Sequence, residues 1–236
     1  MMEDRQQTTD NGPQIVSNNN GAIVVGGRWS VVKLFAHFFS YIFHPLFVPL
    51  YVTLFLLYVH PSYFSGVDNQ TRLWLPFSVA QLSIFYPALT VLLLKGLGFI
   101  NSIFLKTQKD RIIPLIAGGV FYFWLFQVCR NHPASLNPIM PSFTLGVFLT
   151  ASVALIANIY LKISMHAMGM GGWLGIFLLI MQSNTMLMTW PLCIVLLITG
   201  IVCTSRLLIT DHTSKEIYAG LLVGILCQFA AAMVLL

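Results

Sequence analysis

Seven long apolar segments constrain this chain more than any other feature of its sequence. They cover residues 33–59, 74–99, 112–129, 141–163, 167–183, 187–205 and 217–236. A helix needs about 17–25 mostly apolar residues to cross the hydrocarbon of a bilayer, and each segment is about that long. A helix also satisfies its own backbone hydrogen bonds inside lipid. The sequence therefore predicts an all-α, polytopic transmembrane helical bundle of six to seven spans.

The composition supports a membrane protein and excludes several other classes. The chain has 236 residues, of which 57% are hydrophobic and 8% are charged. Its continuous apolar runs differ from the alternating pattern of an outer-membrane barrel. The cations are scattered rather than clustered as a nucleic-acid patch, so the lipid bilayer is the predicted partner and nucleic acid is not. No obligate protein partner can be read from the sequence.

The predicted topology brings the most charged connections to one face of the membrane. Residues 1–30 are polar and rich in Asn, Gln and Gly, which predicts a disordered N-terminal tail. If each span reverses direction, the connections at 100–111, 164–167 and 206–216 lie on the face that carries this tail. Ionisable groups at the edge of a membrane are costly to keep and suggest function. These three connections are therefore predicted to build a common site.

The residues of these connections are typical of a phosphate site. The candidates are Lys106, Lys109, Arg111, Lys162, Ser164, His166, Arg206, His212 and Glu216. Arg and Lys without a matching excess of acid favour an anion, and the planar guanidinium suits phosphate oxygens. Two histidines at one phosphate can divide its hydrolysis, one as nucleophile and the other as general acid. Ser164 precedes the fifth segment, where the first free amides of a helix can bind a phosphoryl oxygen.

The order of these residues resembles the three-part signature of the type 2 phosphatidic acid phosphatase superfamily. The parts are Arg111 followed by Pro114, then Ser164-Met165-His166, then Ser205-Arg206 with His212 and Glu216. The superfamily contains membrane lipid phosphate phosphatases and soluble vanadium haloperoxidases. The resemblance covers about residues 100–220, and it implies a lipid phosphatase core.

Five features depart from the pattern of that superfamily, one of which is the absence of its usual Pro before Ser164. Its first part has an Arg followed directly by Pro, whereas Ile112-Ile113 separates Arg111 from Pro114 here. Its second part usually has Gly at the place of Met165, and its last acid is more often Asp than Glu. The lysine that stands seven residues before the Arg is also missing. Three lysines remain candidates for its role: Lys106, Lys109 and Lys162.

The resemblance implies a role for each candidate. His212 would attack phosphorus and form a phosphohistidine, Glu216 would orient it, and His166 would protonate the leaving lipid alcohol. Phosphoryl oxygens would be bound by Arg111, Arg206, Ser164 and a lysine. No metal and no other cofactor is implied. The substrate would be a lipid phosphate or diphosphate monoester.

The resemblance also implies an organisation and a location. A phosphatase-like core over residues 100–236 would follow two N-terminal transmembrane helices over 31–99. Bacterial membrane members of the superfamily usually place the site on the periplasmic face of the inner membrane. Outside the site, four cations (Arg5, Arg28, Lys33, Lys95) lie on the predicted site face and two (Arg72, Arg130) on the other. That mild excess favours the cytoplasmic face instead.

Plainer interpretations of the same residues exist. Ser164 can simply cap a helix, and Glu216 can be an acid in a first helical turn. Arg111 can anchor the end of a span. His44-Pro45 indicates a kink in the first segment, with a substrate-lining role as the alternative. Two other functions also fit the sequence: a catalytically degenerate lipid-phosphate-binding protein, and a lipid phosphotransferase.

Overall fold

The chain is α-helical, with no strand among the described residues. The structure is a computed structural model that describes residues 27–236 except 101, 104, 106, 133–136, 161–162, 184–185 and 211, and except the side chains of 27–30. Of the predicted disordered tail over 1–30, residues 1–26 lie outside the described residues, and residues 27–30 form the first turn of α1 instead. The helices are α1 (Gly27–Ile42), α2 (Val48–Leu54), α3 (Asn69–Ala80), α4 (Tyr86–Gly96), α5 (Gln108–Arg130), α6 (Ile139–Tyr160), α7 (Met165–Gln182), α8 (Thr189–Ile209) and α9 (Ser214–Leu235).

Among the described residues, six helices are long and apolar enough to cross a membrane. A π-helical turn over Gln81–Phe85 joins α3 to α4, so that Asn69–Gly96 forms one 28-residue span. The other five spans are α5 to α9, and each coincides with a predicted segment to within a few residues. The prediction of an all-α polytopic bundle is confirmed, and the protein is an integral membrane protein.

The first predicted span differs from the structure. Residues 33–59 do not form one kinked helix, because α1 and α2 are separated by a turn over residues 43–47. Pro45 causes the break, since proline lacks an N–H and disfavours a helical conformation at the residue before it. The Tyr51 hydroxyl donates to the Ile42 carbonyl at 2.8 Å and closes the turn. Residues 31–99 therefore contain one candidate span and a helix pair, α1–α2.

Three helices begin at the same end of the bundle, which we call the site face. Their N-caps are Thr107 for α5, Ser164 for α7 and Thr213 for α9. Each cap oxygen accepts a backbone N–H three residues along the chain, at 3.1, 3.4 and 3.3 Å respectively. Such caps satisfy donors that a helix leaves free at its start. Three positive helix-dipole ends therefore meet at the site face.

Helix α7 lies at the centre of the bundle and carries part of the candidate site. It contacts α2, α6, α8 and α9. Glycines allow α7 and α9 to approach closely: a Cβ on Gly171 would collide with the Leu221 carbonyl, and one on Gly224 with the Met168 carbonyl. Small residues at a helix crossing permit this packing in membranes. The starts of α7 and α9 are consequently held side by side.

Candidate active site

His212 and Glu216 form the most completely specified contact of the candidate site. Nδ1 of His212 lies 2.9 Å from Oε2 of Glu216, and the His212 side chain is only 4% exposed. A carboxylate can only accept, so Nδ1 carries the hydrogen and Nε2 keeps the lone pair of the neutral ring. Burial lowers the pKa of His212 from its ordinary value. The hydrogen bond that His212 donates to Glu216 raises this pKa, but by less. The ring is therefore held neutral, with a free nucleophilic nitrogen at Nε2.

Glu216 has a second role at the start of α9. Its carboxylate also accepts the backbone N–H of Thr213 at 3.2 Å, while the Thr213 hydroxyl accepts the N–H of Glu216. This reciprocal pair is a capping box. Both sequence interpretations of Glu216 are therefore present in one side chain, because the carboxylate caps the helix and holds His212.

Two arginines from different helices are near enough to influence each other and His212 electrostatically. Arg206 is in the last turn of α8 and Arg111 in the first turns of α5, and their charges repel each other. Both charges also act on His212. Nε of Arg111 donates to the Leu105 carbonyl at 2.8 Å. Nε of Arg206 is buried and has no hydrogen-bond partner among the described residues.

The arginine pair favours an anion between its members. Glu216 attracts Arg111, but its carboxylate already accepts two hydrogen bonds. A buried guanidinium N–H without an acceptor is costly, and so is the repulsion between two half-buried cations. A phosphate would offset both costs because its oxygens accept hydrogen bonds from planar guanidinium groups.

His166 reaches the site from the second residue of α7. Its Nε2 lies 3.2 Å from the Ser40 carbonyl oxygen, at the end of α1. Since a carbonyl only accepts, Nε2 carries the hydrogen and Nδ1 is the nitrogen available for chemistry. The charges of Arg206 and His212 act on His166, so the three side chains share one environment.

A third histidine, His44, lies against His166. The two ring centroids are 4.9 Å apart and the rings meet edge to face at 83°. His44 lies in the turn between α1 and α2, and Arg206 acts on it too. Burial, followed by this positive charge, lowers the pKa of His44 to about 4.

The structure brings together most of the residues predicted from the sequence. The convergent set is Arg111, His166, Arg206, His212 and Glu216. Ser164 is fully buried, and its hydroxyl caps α7. Lys109 is exposed on the first turn of α5. Lys106 and Lys162 lie outside the described residues, so the lysine partner stays a prediction, as does phosphate binding by Ser164.

Sequence reasoning missed two contributions from the α1–α2 pair. His44 stands out in the sequence as part of a His-Pro break in an apolar segment, but its contact with His166 joins residues far apart in the chain. The contact of Ser40 uses a backbone carbonyl, which every residue possesses. No side-chain pattern therefore marks Ser40. In the described part of the chain, no group of three or more His, Cys, Asp and Glu side chains is arranged to hold a metal ion.

Comparisons with family models, with curated proteins and with solved structures found no match to this chain. The chemistry of the site therefore rests on its own residues and their geometry.

Proposed function

We propose that this protein is an integral membrane phosphatase, a hydrolase of a lipid phosphate or diphosphate monoester that acts through a phosphohistidine intermediate. The observation that carries the proposal is the His212–Glu216 contact beside Arg206 and Arg111. It combines a neutral histidine of fixed tautomer with two arginines whose positive charges act on that histidine. Preorganised cations of this kind stabilise the charge that develops on transferred phosphoryl oxygens.

In the first step, the Nε2 lone pair of His212 attacks phosphorus and the bond from phosphorus to the lipid oxygen breaks. Once the phosphate anion is bound, His166 carries a second proton, at Nδ1, and gives it to the leaving oxygen; the lipid departs as an alcohol, or as a lipid monophosphate when the substrate is a diphosphate. The phosphorylated ring gains positive charge, which the Glu216 carboxylate stabilises across 2.9 Å. Arg206 and Arg111 bind the phosphoryl oxygens throughout.

In the second step, a water attacks the phosphohistidine. His166 now accepts a proton from this water at Nδ1 and returns to its protonated form. The bond from phosphorus to Nε2 breaks, its electron pair returns to His212, and inorganic phosphate leaves. The same imidazole thus serves as acid and then as base.

An apolar groove supports a lipid as the substrate. A cavity of about 500 Å³ opens between α1 and α8, and its lining is almost wholly apolar. It reaches Ser205, the neighbour of Arg206 in the chain. A tail in this groove would lie among apolar side chains while its phosphate met the guanidinium group. We propose this groove as the place of an acyl or prenyl tail.

The candidate substrates include phosphatidic acid, phosphatidylglycerol phosphate and undecaprenyl diphosphate, which are lipids that end in a terminal phosphoryl group. A role in phospholipid metabolism fits the first two. We place the protein in a bacterial inner membrane with the site on the periplasmic face, in keeping with the resemblance of its motifs to the type 2 phosphatidic acid phosphatases.

The test is phosphate release from vesicles containing these three lipids by the purified protein. His212→Ala should lower release at least about 1000-fold, because it removes the nucleophile. His132→Ala is the matched control, since His132 lies at the other end of α5 and should leave release unchanged. Equal release by wild type and His212→Ala rules out the proposed reaction. Lipid binding without release indicates a degenerate binder, and a phosphorylated alcohol in place of free phosphate indicates a phosphotransferase.

A further inference from the structure

The α1–α2 pair packs its turn directly onto the helix that carries His166. Pro45 lies against Gly169, where an added Cβ would stand 2.8 Å from the Pro45 Cβ. The rings of Phe43 and Tyr51 contact Trp173, with centroids 6.3 and 5.5 Å away. The turn is thus clamped to the first half of α7. The ring that the turn places against His166, which is that of His44, therefore has a defined position.

The position of the His44 ring is also set from within the turn. Its Nδ1 accepts the backbone N–H of Leu46 at 3.3 Å, so the hydrogen of the neutral ring is on Nε2. The ring then meets His166 edge to face, with centroids 4.9 Å apart. His44 therefore makes two separable contributions, an acceptor for the turn and an aromatic surface for His166.

His166 needs such a surface because it is held by one hydrogen bond at its other nitrogen. The bond from Nε2 to the Ser40 carbonyl restrains the ring at one atom. A proton donor must point at the oxygen that it protonates, and a small misplacement costs much of the rate. The ring of His44, packed nearly at right angles to His166, supplies a second restraint on its orientation.

We propose that His44 is a positioning residue of the site, whose ring fixes His166 so that Nδ1 faces the leaving oxygen of the lipid phosphate. The inference rests on the proposed function, and it adds the α1–α2 pair to the catalytic machinery. Burial and the charge of Arg206 keep His44 neutral, with a pKa lowered to about 4.

Two substitutions separate the contributions of His44. His44→Asn keeps an acceptor for the Leu46 N–H, because an Asn side chain commonly accepts the N–H two residues ahead and Asn-Pro favours a turn. His44→Asn removes the ring that contacts His166. His44→Phe keeps a ring against His166 but removes the acceptor. Thermal unfolding in detergent will check that both variants are folded.

The measurement is kcat/KM on two substrates with different leaving groups. An alkyl phosphate lipid needs its leaving oxygen protonated, whereas p-nitrophenyl phosphate releases a stable anion. We expect His44→Asn to lose about 10- to 100-fold on the lipid, a part of the usual contribution of a general acid. It should lose little on p-nitrophenyl phosphate, and His44→Phe should stay near wild type on both. His166→Ala should show the same leaving-group pattern in stronger form.

Three results would overturn the proposal: full activity of His44→Asn on the lipid, equal losses on both substrates, or loss in His44→Phe alone. The last would mean that His44 serves only the turn. Nitrogen NMR of ¹⁵N-histidine protein tests positioning without turnover. Wild-type His166 should show one tautomer with the hydrogen on Nε2, and His44→Asn should show a mixture. If wild type releases no phosphate, the proposed function fails, whereas unchanged His166 signals in His44→Asn exclude positioning.

Discussion

At the scale of single residues, Glu216 shows that one carboxylate can cap a helix and hold a histidine at the same time. One carboxylate oxygen lies 2.9 Å from Nδ1 of His212 and 3.2 Å from the Thr213 amide nitrogen. Both partners are within four residues of Glu216, so the local helix start brings them together. This is why the sequence could predict the contact: His212 directly precedes the N-cap of α9 and Glu216 lies in the first turn, so the two residues are near neighbours at one helix start.

Replacing Glu216 by Gln tests its charge apart from its shape. The amide oxygen can still accept both hydrogen bonds, but the negative charge that stabilises phosphorylated His212 is lost. We expect kcat to fall about 10- to 100-fold, since hydrogen bonds to charged groups are about twice as strong as neutral ones. Thr213→Ala is the control, because it breaks the capping box at a cost of about 1 kcal/mol and leaves the His212 contact. Equal losses of kcat in the two variants would contradict a role for the charge.

The protonation of His212 gives a second prediction at this scale. Burial lowers the pKa of His212 and the charges of Arg206 and Arg111 lower it further, while Glu216 raises it. In the proposed reaction only the neutral His212 ring attacks, so the acidic limb of the kcat/KM profile should lie at a pH below the ordinary histidine pKa of about 6.5, while loss of the His166 proton sets the alkaline limb. Arg206→Gln removes a positive charge and should move the titration to higher pH. Proton NMR of the His212 ring measures its pKa in the wild type and in Arg206→Gln. A lower His212 pKa in Arg206→Gln would contradict the proximity of the two groups.

At the scale of elements, the site depends on how helices start and stop. Three N-caps fix the starts of α5, α7 and α9 at the site face, and each is a Ser or Thr recognisable in the sequence. The α1–α2 pair is different. Pro45 explains why the helix breaks, but the place where the broken end docks depends on Gly169 and Trp173, which are more than 120 residues away.

Gly169→Ala tests this docking. The added methyl would stand 2.8 Å from the Pro45 Cβ, so the turn must shift. We expect a loss of about 1–3 kcal/mol in the free energy of unfolding, as for overpacked cores, together with lower kcat/KM on the lipid. Gly119→Ala is the matched control, since it is also a helical glycine and an added Cβ there meets nothing within 4 Å.

Chemical unfolding in detergent measures both glycine variants. Gly119→Ala should gain up to about 1 kcal/mol from the better helix propensity of alanine. Because both variants share that propensity gain, the difference between them reports the Pro45 contact. Equal stabilities would show that the turn is not clamped to α7.

At the scale of the whole molecule, six antiparallel spans place the charged connections on one face and the site among them. This arrangement can be tested by labelling single cysteines, in a variant whose four native cysteines are replaced, with a thiol reagent that cannot cross membranes. Lys109→Cys and Lys215→Cys are on the site face, and Asn131→Cys is on the opposite face; all three positions are exposed. We expect 109 and 215 to react together in intact cells and 131 to stay unlabelled.

The labelling pattern tests the arrangement of the spans independently of the side of the membrane on which the site is proposed to lie. Reaction at 131 alone would leave the arrangement of spans standing and place the site on the cytoplasmic face. Reaction at only one of positions 109 and 215 would contradict the shared face itself. The positive-inside preference compares the lysines and arginines on the two faces of the membrane. Because only four cations outside the site lie on the predicted site face and two on the other, this preference does not decide which face is cytoplasmic.

The sequence by itself determined the membrane class, six of the spans and the pairing of His212 with Glu216. Each depends on local information, because a bilayer requires long apolar helices and a helix start brings near neighbours into contact. Connectivity of alternating spans then predicted that Arg111, His166 and Arg206 share a face. What it could not predict was that the first apolar segment folds as two helices.

Only the tertiary structure decided how His166 is held. Its contacts are the Ser40 carbonyl, 126 residues away in the chain, and the ring of His44. Neither contact follows from spacing, since a carbonyl carries no residue signature and an imidazole in an apolar segment has many possible neighbours. Both arise because Gly169 lets the turn of the α1–α2 pair approach α7, and helix packing of this kind depends on shape rather than on sequence pattern.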